Sequence, residues 1–171
     1  MTVNTTSILS SDILFQQQET ENNSNDNRQG SVAYSRSLSA GTGSLQIDAV
    51  YNIQTVQIDS ASSYYIDFNN LSQPVVGGFM NLSFNNIKSI CISNLSVIIG
   101  EDLSIRATGS DGLTEPFNGA SGSFTVKPSA SYMYSDPYTG AVVDGSNKNF
   151  YIHNAGTGTG EFTLVAVGVT G

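Results

Sequence analysis

The sequence is short of charge. Only 12% of its 171 residues are Asp, Glu, Lys or Arg, about half the usual share of about 25%. Six residues are basic, and Arg28, Arg36, Lys88, Arg106, Lys127 and Lys148 are scattered in a chain of formal net charge −8. Phosphate binding needs clustered Lys and Arg, and an anionic surface is repelled by anionic lipid, so neither nucleic acid nor membrane is expected as a partner. Cysteine is lacking apart from Cys91. That excludes an intrachain disulfide, and within an apolar strand pattern it reads as a buried free thiol. No apolar run approaches the roughly 18 residues of a membrane span. A basic segment followed by an apolar one is missing at the N-terminus, so no signal peptide is expected and synthesis in a reducing cytoplasm is.

Catalytic patterns are equally scarce. His153 is the one histidine, and it alternates with apolar Phe150 and Ile152 as a strand residue does. A nucleophile elbow of the Gly-x-Ser-x-Gly kind is missing; Ser121 comes nearest, with Gly119 two before it but Ser123 two after. Cys91 and His153 lack the further ligands a zinc site needs. Glu101, Asp102 and Asp111 offer oxygen to calcium, but without EF-hand spacing they read as solvated turn residues. Gly156–Gly160 lacks the Lys and the following helix of a phosphate loop and reads as a hairpin tip. Paired carboxylates for glycoside cleavage come with no recognisable aromatic groove. The expectation is a protein that is not an enzyme, with no catalytic residue, no metal ligand and no cofactor.

What the chain has in place of charge is Ser, Thr, Asn and Gly, which supply turn geometry and solvation. Residues 1–42 stand apart. Ile8, Leu9, Ile13, Leu14 and Phe15 form an apolar island, where a short helix capped by Ser10 or Ser11 is one reading. Residues 16–30 contain no apolar side chain. Such a stretch cannot bury itself and should be disordered alone. The expectation is an extended N-terminal arm, residues 1–42, ordered against another chain, with the five apolar residues as candidate interface.

From residue 43 the pattern is β. Leu45, Ile47, Ala49, Tyr51 and Ile53 alternate, then Val56 and Ile58 alternate on the other parity, which predicts a bulge or bend near Gln54. Further strands are expected at Tyr64–Phe68, Met80–Phe84, Ile87–Ser93, Leu95–Ile99, Leu103–Ala107, Phe124–Val126, Tyr132–Tyr134, Val142–Val143, Phe150–His153 and Phe162–Val167. Asn85-Asn86 reads as a hairpin turn, and Phe150 to Val167 as the closing hairpin. So many short strands with turns about every ten residues predict an antiparallel β-sandwich of jelly-roll type over residues 43–171. Tyr132, Tyr134, Tyr138 and Tyr151 cluster late in the chain. They are candidate interface residues, because Tyr gives large contact area with a polar tip, or else core residues.

The chain from about Tyr64 onward resembles a known class. It carries Ile87-Lys88-x-Ile90-x-Ile92-x-Asn94, then Pro116-Phe117-Asn118-Gly119, then a strand running into Pro128. Asp136-Pro137 to Val143 follows, and then a strand ending in Asn154 before the Gly-rich run. These features are similar to those of the small β-sandwich virion structural proteins of tailed phages, of the capsid decoration or cement type. Pro128-Ser129-Ala130 departs from that class, in which Pro-Gly-Gly is common. The resemblance implies a virion protein on the capsid surface, with the major capsid protein as partner and self-association into a homotrimer. It carries over no catalytic residue. The alternative is a tail or head-fibre adsorption module that binds a host glycan or receptor.

Overall fold

The computed structural model describes residues 7–21, 24–75, 78–107, 110–117, 119 and 122–171, with side chains from residue 38 on, that of Val75 excepted. The described chain is all β. Strand β1 (Ser7–Glu21) pairs antiparallel with β2 (Ser24–Ala40), in register from Ser7 opposite Leu38 to Glu21 opposite Ser24. The end of β2 runs parallel to β3 (Gln46–Ile47). The arm is therefore a ribbon folded back on itself, and its apolar island lies in a strand and not in a helix. In this ribbon Gln16 lies opposite Gln29 and Gln17 opposite Arg28.

Two antiparallel sheets follow. One has the order β10-β9-β13-β5, from Ser123–Val126, Leu103–Arg106, Asn149–Asn154 and Ser63–Asp67. The other has the order β11-β8-β14-β4, from Ser131–Ser135, Phe84–Asn94, Gly160–Thr170 and Ala49–Ile58. Strand β12 (Ala141–Val142) extends the β11 edge along β8. A small hairpin, β6 (Leu71–Val75) with β7 (Gly78–Leu82), stands beside β4.

The sheets form a β-sandwich around one core. Ile66, Ile105, Phe150 and Ile152 come from the smaller sheet, and Ile90, Ile92, Phe162 and Leu164 from the larger. Each buries essentially its whole side chain, worth about 1.5–3 kcal/mol apiece against exposure. A run of aromatic contacts crosses the core: Phe84 to Phe68, Phe68 to Phe150, Phe150 to Phe117, Phe117 to Phe124, and Phe124 to Tyr132 with centroids 3.8 Å apart. The last contact joins β10 of one sheet to β11 of the other.

The expected bulge is present. Leu164 lies opposite Ile53 and Phe162 opposite Val56, so two β4 residues, Gln54 and Thr55, face one residue of β14. Thr55 takes a positive φ of 54° there, as a bulge permits.

Three expectations are corrected. Phe150–His153 and Phe162–Val167 do not pair as a hairpin; β13 and β14 belong to different sheets, and the Gly-rich run steps the chain from one to the other. Alternation marks a buried face but not the sheet that owns it. Asn85 and Asn86 lie inside β8: Asn86 pairs with Val142 and Val169, and Asn85 O accepts Val143 N at 2.8 Å. Leu95–Ile99 is an exposed loop, although it is as apolar as any strand.

Candidate functional site

The loop that follows β8 is built on Asn94. This residue is buried at the strand end, and its Nδ2 donates to Glu101 O at 2.8 Å and to Val126 O at 3.1 Å. Its Oδ1 accepts Ser96 N at 3.0 Å. Ser96 Oγ accepts Ile98 N at 3.2 Å, Ile98 O accepts Glu101 N at 3.2 Å, and Ser129 Oγ donates to Ser96 O at 3.2 Å. Both ends of the loop are thus clamped. Between the clamps stand Val97, Ile98 and Ile99, exposed to 83%, 62% and 98%. Gly100 closes the tip at φ 98°, a conformation that favours glycine. Scattered exposed apolar residues are ordinary, but a contiguous apolar tip on a fixed loop is a candidate interaction site. At its base, Lys127 Nζ and Asp102 Oδ2 pair at 2.6 Å and cancel each other's charge.

Glu101 turns inward from the same loop and is 3% exposed. Its Oε1 accepts Gly158 N at 2.8 Å, so it holds the Gly-rich crossover. Asn154 repeats the part of Asn94 on the facing sheet: Nδ2 donates to Ile58 O at 2.9 Å and Gly158 O at 2.7 Å, and Oδ1 accepts Gly156 N at 2.9 Å. Within the Gly-rich run Gly156 and Gly160 are buried while Thr157 and Thr159 are exposed. Glu101, Asp102 and Asp111 do not converge. Asp102 pairs with Lys127, and Asp111 O accepts Lys148 N and Asn149 N at 2.9 and 2.8 Å. Among the described residues no group of three or more His, Cys, Asp or Glu is placed to hold a metal ion.

A shallow apolar trough lies between β4 and the β6–β7 hairpin. Ile53, Val56 and Pro74 line it, and Asn52, Gln54 and Gln73 form its lips. Gln73 Oε1 accepts Asn52 N at 2.8 Å, tying the hairpin to the edge of the larger sheet. Phe79 and Met80 are exposed on the same hairpin.

The arm has its own root. Leu38, Ile47 and Val167 form a second buried cluster with Leu45 against it. Val167 lies opposite Val50 and Ser89, so the root covers part of the outer face of the larger sheet. Leu45 N donates to Pro137 O at 2.9 Å and Asp48 N to Gly168 O at 3.1 Å. Beside it, buried Lys88 donates Nζ to Tyr138 O and Thr139 O at 2.7 and 2.8 Å. Burial lowers its pKa, and Asp136 opposes that shift. Cys91 is half-buried on the same outer face, opposite Val165 and Met133, and burial raises its thiol pKa.

The structure separates the candidate interface residues. The side chains of Ile8, Leu9, Ile13, Leu14 and Phe15 lie outside those described. Tyr132 and Tyr134 are half-buried and pack against the core. Burial first, then Glu115, pushes the Tyr134 phenol up. Tyr138 is exposed beyond β11. Tyr151 lies on the outer face of the smaller sheet, edge-on to Tyr65 at 5.0 Å, where His153 Nδ1 also meets Ser63 Oγ at 3.0 Å. Sequence reasoning missed the Val97–Ile99 tip, because a strand and an exposed apolar loop share one composition. Asn94 just before it and Gly100 just after were the available signs.

No protein-family model matches the chain, and no curated protein matches it.

Proposed function

We propose that the chain is a non-enzymatic structural protein of a tailed-phage virion. In this reading it is a capsid decoration or cement protein, with a jelly-roll-like sandwich outside the head and an arm that grips the shell. The observation that carries the reading is the arm. A ribbon of two strands, 15 and 17 residues long, is marginal by itself in water. Strand β1 is an edge strand, with no partner on its other side among the described residues. Such an edge offers a row of backbone donors and acceptors to another chain. The root at Leu38, Ile47 and Val167 would transmit that grip to the sandwich. The partners are the major capsid protein and further copies of the chain, in a trimer. Many weak contacts on one lattice become strong together. The resemblance of the Ile87–Asn94 and Asp136–Val143 segments to capsid decoration proteins supports the same reading.

The test is deletion of residues 1–37, which keeps Leu38 and the root. The truncated protein should melt as the full chain does but lose its occupancy on stripped virions. Full occupancy without the arm would overturn the reading.

A second reading, the adsorption module, is favoured by one feature. The outer face of the smaller sheet presents Tyr65 and Tyr151 with Arg106 opposite Tyr151 in register, a mixed aromatic and polar surface suited to a glycan. Location at a tail tip in a few copies would favour it.

A further inference from the structure

We propose that the Val97–Ile99 loop of one copy seats in the Ile53–Val56–Pro74 trough of a second copy. Four observations lead there. First, the tip is apolar, exposed and fixed at both ends by Asn94, Ser96 and Ser129. A loop already held in one conformation loses little entropy on docking.

Second, the trough matches it in chemistry. Ile53, Val56 and Pro74 supply apolar surface, and the lips Asn52, Gln54 and Gln73 carry no charge. At the base of the tip the one cation, Lys127, is already paired with Asp102. Docking therefore strands no unpaired charge. A bilayer is a poorer match: none of the residues from Leu95 to Gly100 is basic or aromatic, and membrane-seating segments use both at the interface.

Third, position allows it. Asn94 lies opposite Phe162, and Phe162 opposite Val56. The loop base and the end of the trough therefore share one row across β8, β14 and β4. They are two strand spacings apart, or about 10 Å, yet Val97, Ile98 and Ile99 stand exposed, so the chain does not fill its own trough. Each copy consequently both gives a tip and receives one, and such contacts between unlike surfaces repeat or close into a ring.

Fourth, the size is that of a repeated contact. Three side chains cover a fraction of the about 800 Å² per partner in a standard interface. One tip in one trough is weak, and closure of several in one assembly makes them strong. This inference concerns the purified protein and does not depend on the virion reading.

The experiment is sedimentation velocity of the full chain from low micromolar to millimolar concentration. Two variants are compared: Ile98→Ser with Ile99→Ser in the tip, and Gln54→Glu with Pro74→Glu in the trough. Each should weaken self-association by about tenfold or more while leaving the melting midpoint unchanged. If the Pro74 change lowers the melt, Gln54→Glu alone serves. Mixed in equal amounts, the variants should associate more tightly than either does alone, because an intact tip then meets an intact trough. A wild-type chain that stays monomeric throughout overturns the proposal. So does a mixture no tighter than its components. Tip-dependent flotation of a monomeric wild type with phosphatidylcholine vesicles would also overturn it and assign the tip to lipid.

Discussion

Glu101 Oε1 accepts the Gly158 amide at 2.8 Å, so two residues 57 positions apart join the exposed apolar loop to the crossover between the sheets. The buried carboxylate leans on Gly156. A Cβ placed on that glycine would meet the Glu101 carboxylate and come within 2.8 Å of its Cα. The loop and the crossover, which both join one sheet to the other, are thus one packed unit.

Gly156→Ala should destabilise the fold by about 1–3 kcal/mol, the usual cost of forcing volume into a packed site. The obstacle includes backbone, which cannot swing away. Glu101→Gln, which keeps an acceptor for Gly158, should cost less than Glu101→Ala. Urea denaturation of the three variants checks the order, and equal costs for the two Glu101 variants would contradict it.

Asn94 and Asn154 each satisfy three backbone groups at a strand end. Replacing either by Ala leaves those groups unpaired, where each costs about 1–3 kcal/mol if it stays dry. The expected loss is at least about 2 kcal/mol for each variant by calorimetry. A loss below 0.5 kcal/mol, the usual scale of a surface change, would show that water replaces the amide.

Alkaline stability should be set by the phenols. Tyr51, Tyr65, Tyr132 and Tyr134 all have folded pKa values above the ordinary 10.0, with burial as the first cause. The unfolded chain therefore loses these protons first, and stability present below about pH 10 falls as pH rises past it. Lys88 works the other way. Its pKa is lowered by burial, so stability gains with pH in the window just below the ordinary lysine value. Tyr134→Phe should flatten the fall in melting temperature above pH 10, and Lys88→Met should steepen it. A Tyr134→Phe profile parallel to wild type would refute the assignment.

His153→Ala should change stability by no more than about 0.5 kcal/mol, the range of ordinary surface substitutions. The ring is half-buried on an outer face, where its Nδ1 meets the exposed Ser63 hydroxyl. A thermal melt decides this, and a loss of several kcal/mol would mean that the ring carries packing.

The all-β character was legible in the sequence because period-two alternation and turn residues are local properties. The bulge at Gln54–Thr55 was legible for the same reason: a change of parity in one strand has one geometric meaning. Placement was not legible. Phe150, Ile152, Phe162 and Leu164 all point into one core, and only the packed sandwich assigned them to two sheets. The same holds for the apolar run Leu95–Ile99, which reads as a strand until β8 ends at Asn94 and the clamp of Asn94, Ser96 and Ser129 turns Val97, Ile98 and Ile99 outward. Alternation tells which residues want a partner surface. Which surface they receive, another sheet or the solvent where a second chain can bind, is decided by contacts between residues far apart in sequence.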